Sequence, residues 1–446
     1  MARTFWRQSF WGIESRYWLF ILVIIGIHAF AFSDNANLGQ YDVSLYYKYA
    51  NWMFQGFVPY HDFAVEYPPG ALLVFAIPRL FAAGFTPYSL AFALEMLAFD
   101  IIGIFLMVAL ARRFRLSVWL TLLVYTIALW PIVPLAVGRF DLVPAIITLG
   151  AIYAFSRGRF NIAWLLLAAG TLVKIYPVIL APLFLIYQLK YLPRWRSVMS
   201  VGVFAALFLV GTVPFAVLDA AGLWHSVAVQ AGRGLQLESS YSSILLLADK
   251  LGLTQIQVIL TSTSYNVSSS VTAAIARLSD YILVAGLLGV YAWYFFRRRL
   301  VDGLGKSRTP SSRDTASMLN HGFLAIAVFL FTSKVLSPQY MIWLLPLAPI
   351  FTGTTRGAVW AMFIMASWLT WYIYPAHYFG LVDKKLFAVV VLSLRNAILA
   401  FLAAAAVASK VDAGSSSTDK RNGILAWLTR VKLILAKWQS SARNKR

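Results

Sequence analysis

The chain has 446 residues, of which 60% are apolar and 12% charged, and its mean hydropathy is +0.73; a soluble chain carries about twice that charge, so a water-soluble globular protein is excluded. The net charge of +21 does not indicate nucleic acid, because the basic residues sit in short clusters at alternate ends of apolar runs, the pattern of a positive-inside membrane protein. With no cysteine present, disulfides, thiol catalysis and cysteine-ligated metals are excluded.

The N-terminal "MARTFWRQSFWGIESRYW" leads into the first apolar run without a small-residue cleavage site, and reads as a cytoplasmic arm rather than a cleavable signal. Apolar runs predict an all-α polytopic membrane protein of twelve spans: 17–33, 89–111, 117–137, 141–156, 161–174, 176–190, 198–218, 279–297, 319–334, 339–353, 357–375 and 386–408. With the N-terminus inside, the cytoplasmic pieces hold 27 of the 38 Lys and Arg residues. This orientation places both termini in the cytoplasm.

Between the first two spans, "YDVSLYYKYANWMFQG" repeats apolar residues at Val43, Tyr46, Tyr47, Ala50, Met53 and Phe54. This spacing predicts an amphipathic helix on the membrane surface, with Asp42 at its N-cap and Gly56 near its C-cap. The apolar stretch 68–84 carries Pro78 and Arg79 and would invert the topology if it crossed, so it is read as a re-entrant or interfacial helix on the outer side. The outer loops 34–88 and 219–278 are long. Residues 1–408 form one transmembrane unit, and 409–446 form a basic cytoplasmic tail. In the tail, Ile424, Leu425, Leu428, Val431, Leu435 and Trp438 predict a second surface helix.

Ionisable residues concentrate at the outer ends of spans. Arg139 and Asp141 share the turn "GRFD", Lys174 opens "KIYP", Arg233 and Glu238 lie in "RGLQLES", and Lys334 precedes "SPQY"; Lys384 and Lys385 lie near an outer end, and Asp42, Asp62, Glu66, His61, His225 and His377 stand on the same side. Charges at membrane level are costly and usually face a protein-lined cavity. Cations and a carboxylate in a wet cavity open to lipid suit a phosphate-bearing lipid, with Arg and Lys on the phosphate and the carboxylate taking a hydroxyl proton. Simpler readings stay open for several residues. Asp42 caps a helix; Asp141 pairs with Arg139 or caps the fourth span; Glu66 and His61 are either lining or surface groups. Glu95, near the outer end of the second span, is within reach of the cavity. His28 reads as a satisfied buried histidine, and Asp100 and Arg395, at similar depth, are expected to pair.

Four segments in order, "YDVSLYYKYANWMFQGFVPYHDFAVEYPPG", "GRFDLVPAII…TLVKIYPVILAPLFL", "GRGLQLESSYSSILLL" and "SPQYMIWLLPL", resemble glycosyltransferase family 87, integral-membrane enzymes of GT-C fold. The resemblance covers residues 15–400 and is weaker in the C-terminal third. It implies an inverting transfer of a sugar, mannose by analogy, from a polyprenyl-phosphate donor to a lipid or glycan acceptor on the outer face. It places the catalytic carboxylate at Asp42, followed by Tyr46. It makes Arg139, Lys174, Arg233 and Lys334 candidates for the donor phosphate, with Glu66, His61, Asp141, Glu238, Gln339 and Tyr340 as further donor or sugar contacts. It assigns residues 1–218 to catalysis and 219–408 to the acceptor side. No metal or other cofactor is implied, although Asp42, Asp62 and Glu66 are an acidic set that an ion would need to draw together. The rival reading is a polyprenyl-lipid flippase or secondary transporter. Internal repeats and ionisable groups near the midplane would mark such a protein; this chain shows no clear repeat, and its charges cluster at one face.

Overall fold

The computed structural model describes residues 15–36, 40–261, 264–302 and 311–411. The N-terminal arm before residue 15, most of the basic loop after residue 302 and the expected tail helix lie outside the described residues. The first half contains α1 (Ser15–Asp34), α2 (Gln40–Phe54), α3 (Pro69–Phe81), α4 (Phe85–Arg113), α5 (Val118–Leu129), α6 (Val133–Gly138), α7 (Leu142–Ser156), α8 (Phe160–Val173) and α9 (Ala181–Tyr191). Next come α10 (Arg194–Ala231), α11 (Ser240–Lys250), a hairpin of β1 (Gln257–Thr261) and β2 (Ser264–Ser268), and α12 (Thr272–Asp302). The chain continues with α13 (Ser312–Thr332), α14 (Met341–Leu344), α15 (Arg356–Trp371), α16 (Tyr378–Val382) and α17 (Leu386–Ala408).

Eight helical segments among the described residues are long and apolar enough to cross a membrane, beginning at Tyr17, Phe85, Val118, Arg194, Thr272, Ser312, Arg356 and Leu386. The protein is therefore a multi-pass, mostly helical membrane protein. The other four expected spans fall in shorter pieces: α7, α8, the 3₁₀ turn Tyr176–Leu180 with α9, and the 3₁₀ turn Pro338–Tyr340 with α14. At 1.5 Å per residue, the 15-residue α7 is shorter than the roughly 30 Å apolar thickness of a bilayer. Almost all of α7 is buried, and it packs between α4 and α8. Hydropathy cannot separate such a helix from one that faces lipid.

The segment between α1 and α4 is ordered and packed. On α2, Val43, Tyr46, Tyr49 and Ala50 are buried while Ser44, Lys48 and Phe54 are exposed. The inward face is thus turned slightly from the predicted one, taking in Tyr49 and releasing Phe54. Asp42 is a correction: it lies inside the first turn of α2, not at its N-cap. The expected re-entrant piece is the 13-residue α3, with Pro78 inside it. Gly70 lets its start approach α8, because a Cβ there would lie 2.7 Å from the Leu172 backbone carbon.

The second long segment, expected as a loop from residue 219, is largely regular. Helix α10 runs on to Ala231, broken only at Asp219, whose backbone is extended (φ −155°, ψ 94°). The Asp219 carboxylate accepts a bond from the Gly222 N–H at 2.8 Å, which restarts the helix. A Cβ on Gly222 would lie 2.1 Å from the Tyr60 carbonyl oxygen, so only glycine fits this crossing. The β1–β2 hairpin is the one departure, among the described residues, from an all-α fold.

The expected ion pair between Asp100 and Arg395 is not formed. Asp100 (α4) bonds His28 Nδ1 (α1) at 2.7 Å and accepts from the Tyr125 hydroxyl (α5) at 2.6 Å, while His28 Nε2 meets Thr126 Oγ1 at 2.9 Å. His28 and Tyr125, on adjacent helices, bond the buried acid, as the reading of His28 anticipated. Arg395 instead donates from Nη2 to the Glu238 carbonyl at 2.9 Å.

Candidate active site

A cavity of about 1680 Å³ opens where α2, α10, the loop after α10 and the Pro338–Tyr340 turn converge. It exceeds the ~300–1,000 Å³ typical of small-ligand pockets, so it has room for two substrates or one lipid-linked one. Five cations line it (Lys48, Arg139, Lys174, Arg233 and Lys334), with four acids (Asp42, Glu66, Glu238 and Asp280).

The GRFD turn is held by aromatic packing. Phe140 meets Tyr46, Tyr67 and Phe75 edge-on at 5.1–5.5 Å, and Tyr46 stacks flat on Phe75 at 4.3 Å. This cluster fixes α2 and α3 against the turn and projects the residues on either side of Phe140. Arg139 Nη2 pairs with Asp42 at 2.9 Å, and its guanidinium lies 5.8 Å from the centre of the Tyr374 ring. Burial raises the Asp42 carboxyl above its ordinary pKa, and Arg139 pulls the other way without cancelling the effect. Tyr46 itself is buried and does not line the cavity.

Asp141 does not pair with Arg139, and its side chain makes no cap. It accepts from Lys174 Nζ at 2.6 Å and from the Trp343 indole N–H at 2.7 Å. Trp343 is sandwiched between Tyr176 at 4.1 Å and Tyr340 at 4.0 Å. Asp141 is thus a buried support that aims Lys174 into the cavity from behind. Lys334 pairs with Asp280 of α12 at 3.0 Å. Arg233 also faces the cavity and, among the described residues, has no ion-pair or hydrogen-bond partner for its side chain.

Glu238 is 1% exposed. Its Oε2 accepts from Gln236 Nε2 at 3.3 Å, while Oε1 has no hydrogen-bond partner among the described residues. Burial pushes this carboxyl up to about 7, against the pull of Arg395 and Arg139. Gln339 and Tyr340 line the cavity, with Ser337 Oγ donating to Gln339 Oε1. Glu66 lines it too, and its carbonyl accepts from Gln230 of α10 at 3.2 Å.

Other expected residues stand apart. His61 is exposed, paired with Asp62 at 2.8 Å outside the cavity. Glu95, His225 and His377 do not line it. Lys384 is spent on Asp249 at 3.1 Å and the Ile256 carbonyl at 2.9 Å, joining α11 to the turn before α17. Asp42, Asp62 and Glu66 do not gather, and no set of three histidine or acidic side chains placed to hold a metal ion occurs among the described residues. Sequence reading missed Trp343, Tyr374, Trp224, Gln236 and Asp280. Of these, Gln236 had a usable signal, lying two residues from Glu238 in a quoted motif.

Residues 65–307, just over half of the chain, match the sequence model of glycosyltransferase family 87. The chain belongs to this family. The match takes in Glu66, Arg139, Asp141, Lys174, Arg233 and Glu238, and leaves Asp42 before it and Lys334, Gln339 and Tyr340 after it. No curated protein matches the chain. Membership of glycosyltransferase family 87 makes the protein a membrane glycosyltransferase, with a sugar donor and an acceptor as its substrates.

Proposed function

We propose that this family 87 glycosyltransferase moves a sugar, mannose by family analogy, from a polyprenyl-phosphate donor to a hydroxyl of a lipid- or glycan-linked acceptor. In this reading the fold is of GT-C type with twelve spans, the protein sits in the inner membrane with both termini cytoplasmic, and the cavity faces outward. No metal or other cofactor takes part. The observation that carries the reading is the juxtaposition, in one large cavity, of a half-buried carboxylate (Asp42) and a lining arginine (Arg233) that has no partner of its own among the described residues.

The steps follow from those groups. Arg233 and Lys334 hold the donor phosphate. Asp42, aligned by Arg139, accepts the proton of the acceptor hydroxyl as that oxygen attacks the anomeric carbon. The bond from that carbon to the phosphate oxygen breaks, polyprenyl phosphate leaves with the electron pair, and the configuration inverts. Lys174, aimed by Asp141, neutralises charge growing on the leaving phosphate.

The test incubates purified protein with labelled polyprenyl-phosphate sugars and a membrane-lipid extract. Asp42→Asn is expected to lower transfer by roughly 10²–10⁴-fold while donor binding persists. Lipid translocation that survives this change, with no transfer by the wild type, would move the protein to the flippase class.

A further inference from the structure

More than half of the buried side-chain polar atoms that lack a partner among the described residues lie in one patch: Gln236 Oε1, Glu238 Oε1, Ser240 Oγ, Asn266 Oδ1, and atoms of Arg395 and Asn396. Buried polar groups are nearly always hydrogen-bonded, and an orphaned one costs about 1–3 kcal/mol. Such a concentration needs a physical reason. Two of its members, Gln236 and Glu238, line the cavity, and both orphaned atoms are acceptors. They call for a ligand rich in hydroxyl donors.

The backbone around them is hydrogen-bonded to neighbouring elements on both sides. The Glu238 carbonyl accepts from Arg395 Nη2 at 2.9 Å and Asn396 Nδ2 at 3.3 Å, so α17 clamps the loop from behind. The Gln236 N–H donates to the Lys334 carbonyl at 3.0 Å, and the Leu237 N–H to the Tyr265 carbonyl at 3.0 Å. One short stretch, tied at both sides, therefore carries Arg233 at its start and Glu238 at its end, with Lys334 bonded to its middle. A sugar on a lipid phosphate is joined to that phosphate through a single oxygen. Groups that read the sugar must then share a cavity with the groups that hold the phosphate, and Glu238, Gln236, Arg233 and Lys334 all line this one.

We infer that Glu238 and Gln236 form the subsite that binds the hydroxyls of the donor sugar and so sets which sugar is accepted. The inference rests on the donor reading above. A subsite built from buried acceptors rejects a ligand that lacks the matching hydroxyls, because both groups would stay unpaired.

The experiment measures the affinity of detergent-solubilised protein for polyprenyl phosphate and for the same lipid carrying mannose or glucose. In the wild type, one sugar-bearing lipid binds more tightly than the bare phosphate. Glu238→Ala is expected to remove that advantage, a loss on the order of tenfold to a hundredfold, while affinity for the bare phosphate stays the same. Arg233→Ala lowers affinity for both lipids, and a thermal melt of each variant checks folding. Equal losses for both lipids in Glu238→Ala, or no loss for either, would overturn the subsite. So would a Glu238→Gln protein that binds both lipids as wild type but no longer turns over, which would make Glu238 a base. A wild type that binds neither lipid overturns the donor reading itself, and a wild type that discriminates while Glu238→Ala still does overturns only the subsite.

Discussion

Asp42 is subject to two opposed influences, burial that favours its neutral form and an Arg139 guanidinium 2.9 Å away that favours the anion. Burial prevails, so the carboxyl titrates above the ordinary aspartate range. The proposed base works only when ionised, so transfer should fall as pH drops through that raised value. Arg139→Met removes the opposing charge and should displace the acidic limb of the pH–rate profile further upward; a limb that stays in place would dissociate Arg139 from Asp42. Most acids and cations of the site were legible in the sequence because a charge at membrane level is expensive and stands out among apolar neighbours, whereas Asp280 and Lys48 were not singled out. Their pairing was not, since Asp42 with Arg139 and Asp141 with Lys174 are partners set by how helices pack. Trp343 was hidden for the opposite reason. A tryptophan in an apolar run announces nothing, although here it bonds Asp141 and carries two stacked tyrosines.

At the scale of elements, α1, α4 and α5 are stapled by His28, Asp100, Tyr125 and Thr126. Replacing Asp100 with alanine should cost about 1–3 kcal/mol, read as a lower melting temperature in detergent. Exchanging Asp100 and Arg395 should rescue nothing, because Arg395 serves the Glu238 carbonyl instead. Helix α10 gives a second case. Gly222→Ala would drive a methyl group into the Tyr60 carbonyl, for an expected loss of roughly 1–3 kcal/mol, whereas alanine at the open position Gly202 should be tolerated. Periodicity disclosed α2 and the first part of α10 because both are amphipathic or long. It could not disclose that the chain past Asp219 resumes as helix, since that depends on a carboxylate capping Gly222 and on a contact with a residue 162 positions away.

For the whole molecule, membrane character and helical class followed from composition, and the long spans from hydropathy. The short helices α7 and α8 escaped classification because burial within protein and burial in lipid select the same residues. Orientation can be tested directly, since the chain contains no cysteine. His61→Cys should react with an impermeant maleimide from outside intact cells, and Arg157→Cys, exposed between α7 and α8, should react only after the membrane is opened. The reverse pattern would turn the cavity toward the cytoplasm.

Gly222 against Tyr60, and Gln230 against the Glu66 carbonyl, sew the segment before α3 to the far end of α10 at two points. Anyone recombining relatives of this protein inherits that seam. A crossover between residues 218 and 219, attractive on paper because a span ends there, would join a Tyr60 loop from one parent to a helix shaped for another. Asp42 and Arg233 of the cavity stand on opposite sides of the seam and are expected to be inherited together. Chimeras that carry both pieces from one parent should keep that parent's activity, and those that split them should fold poorly.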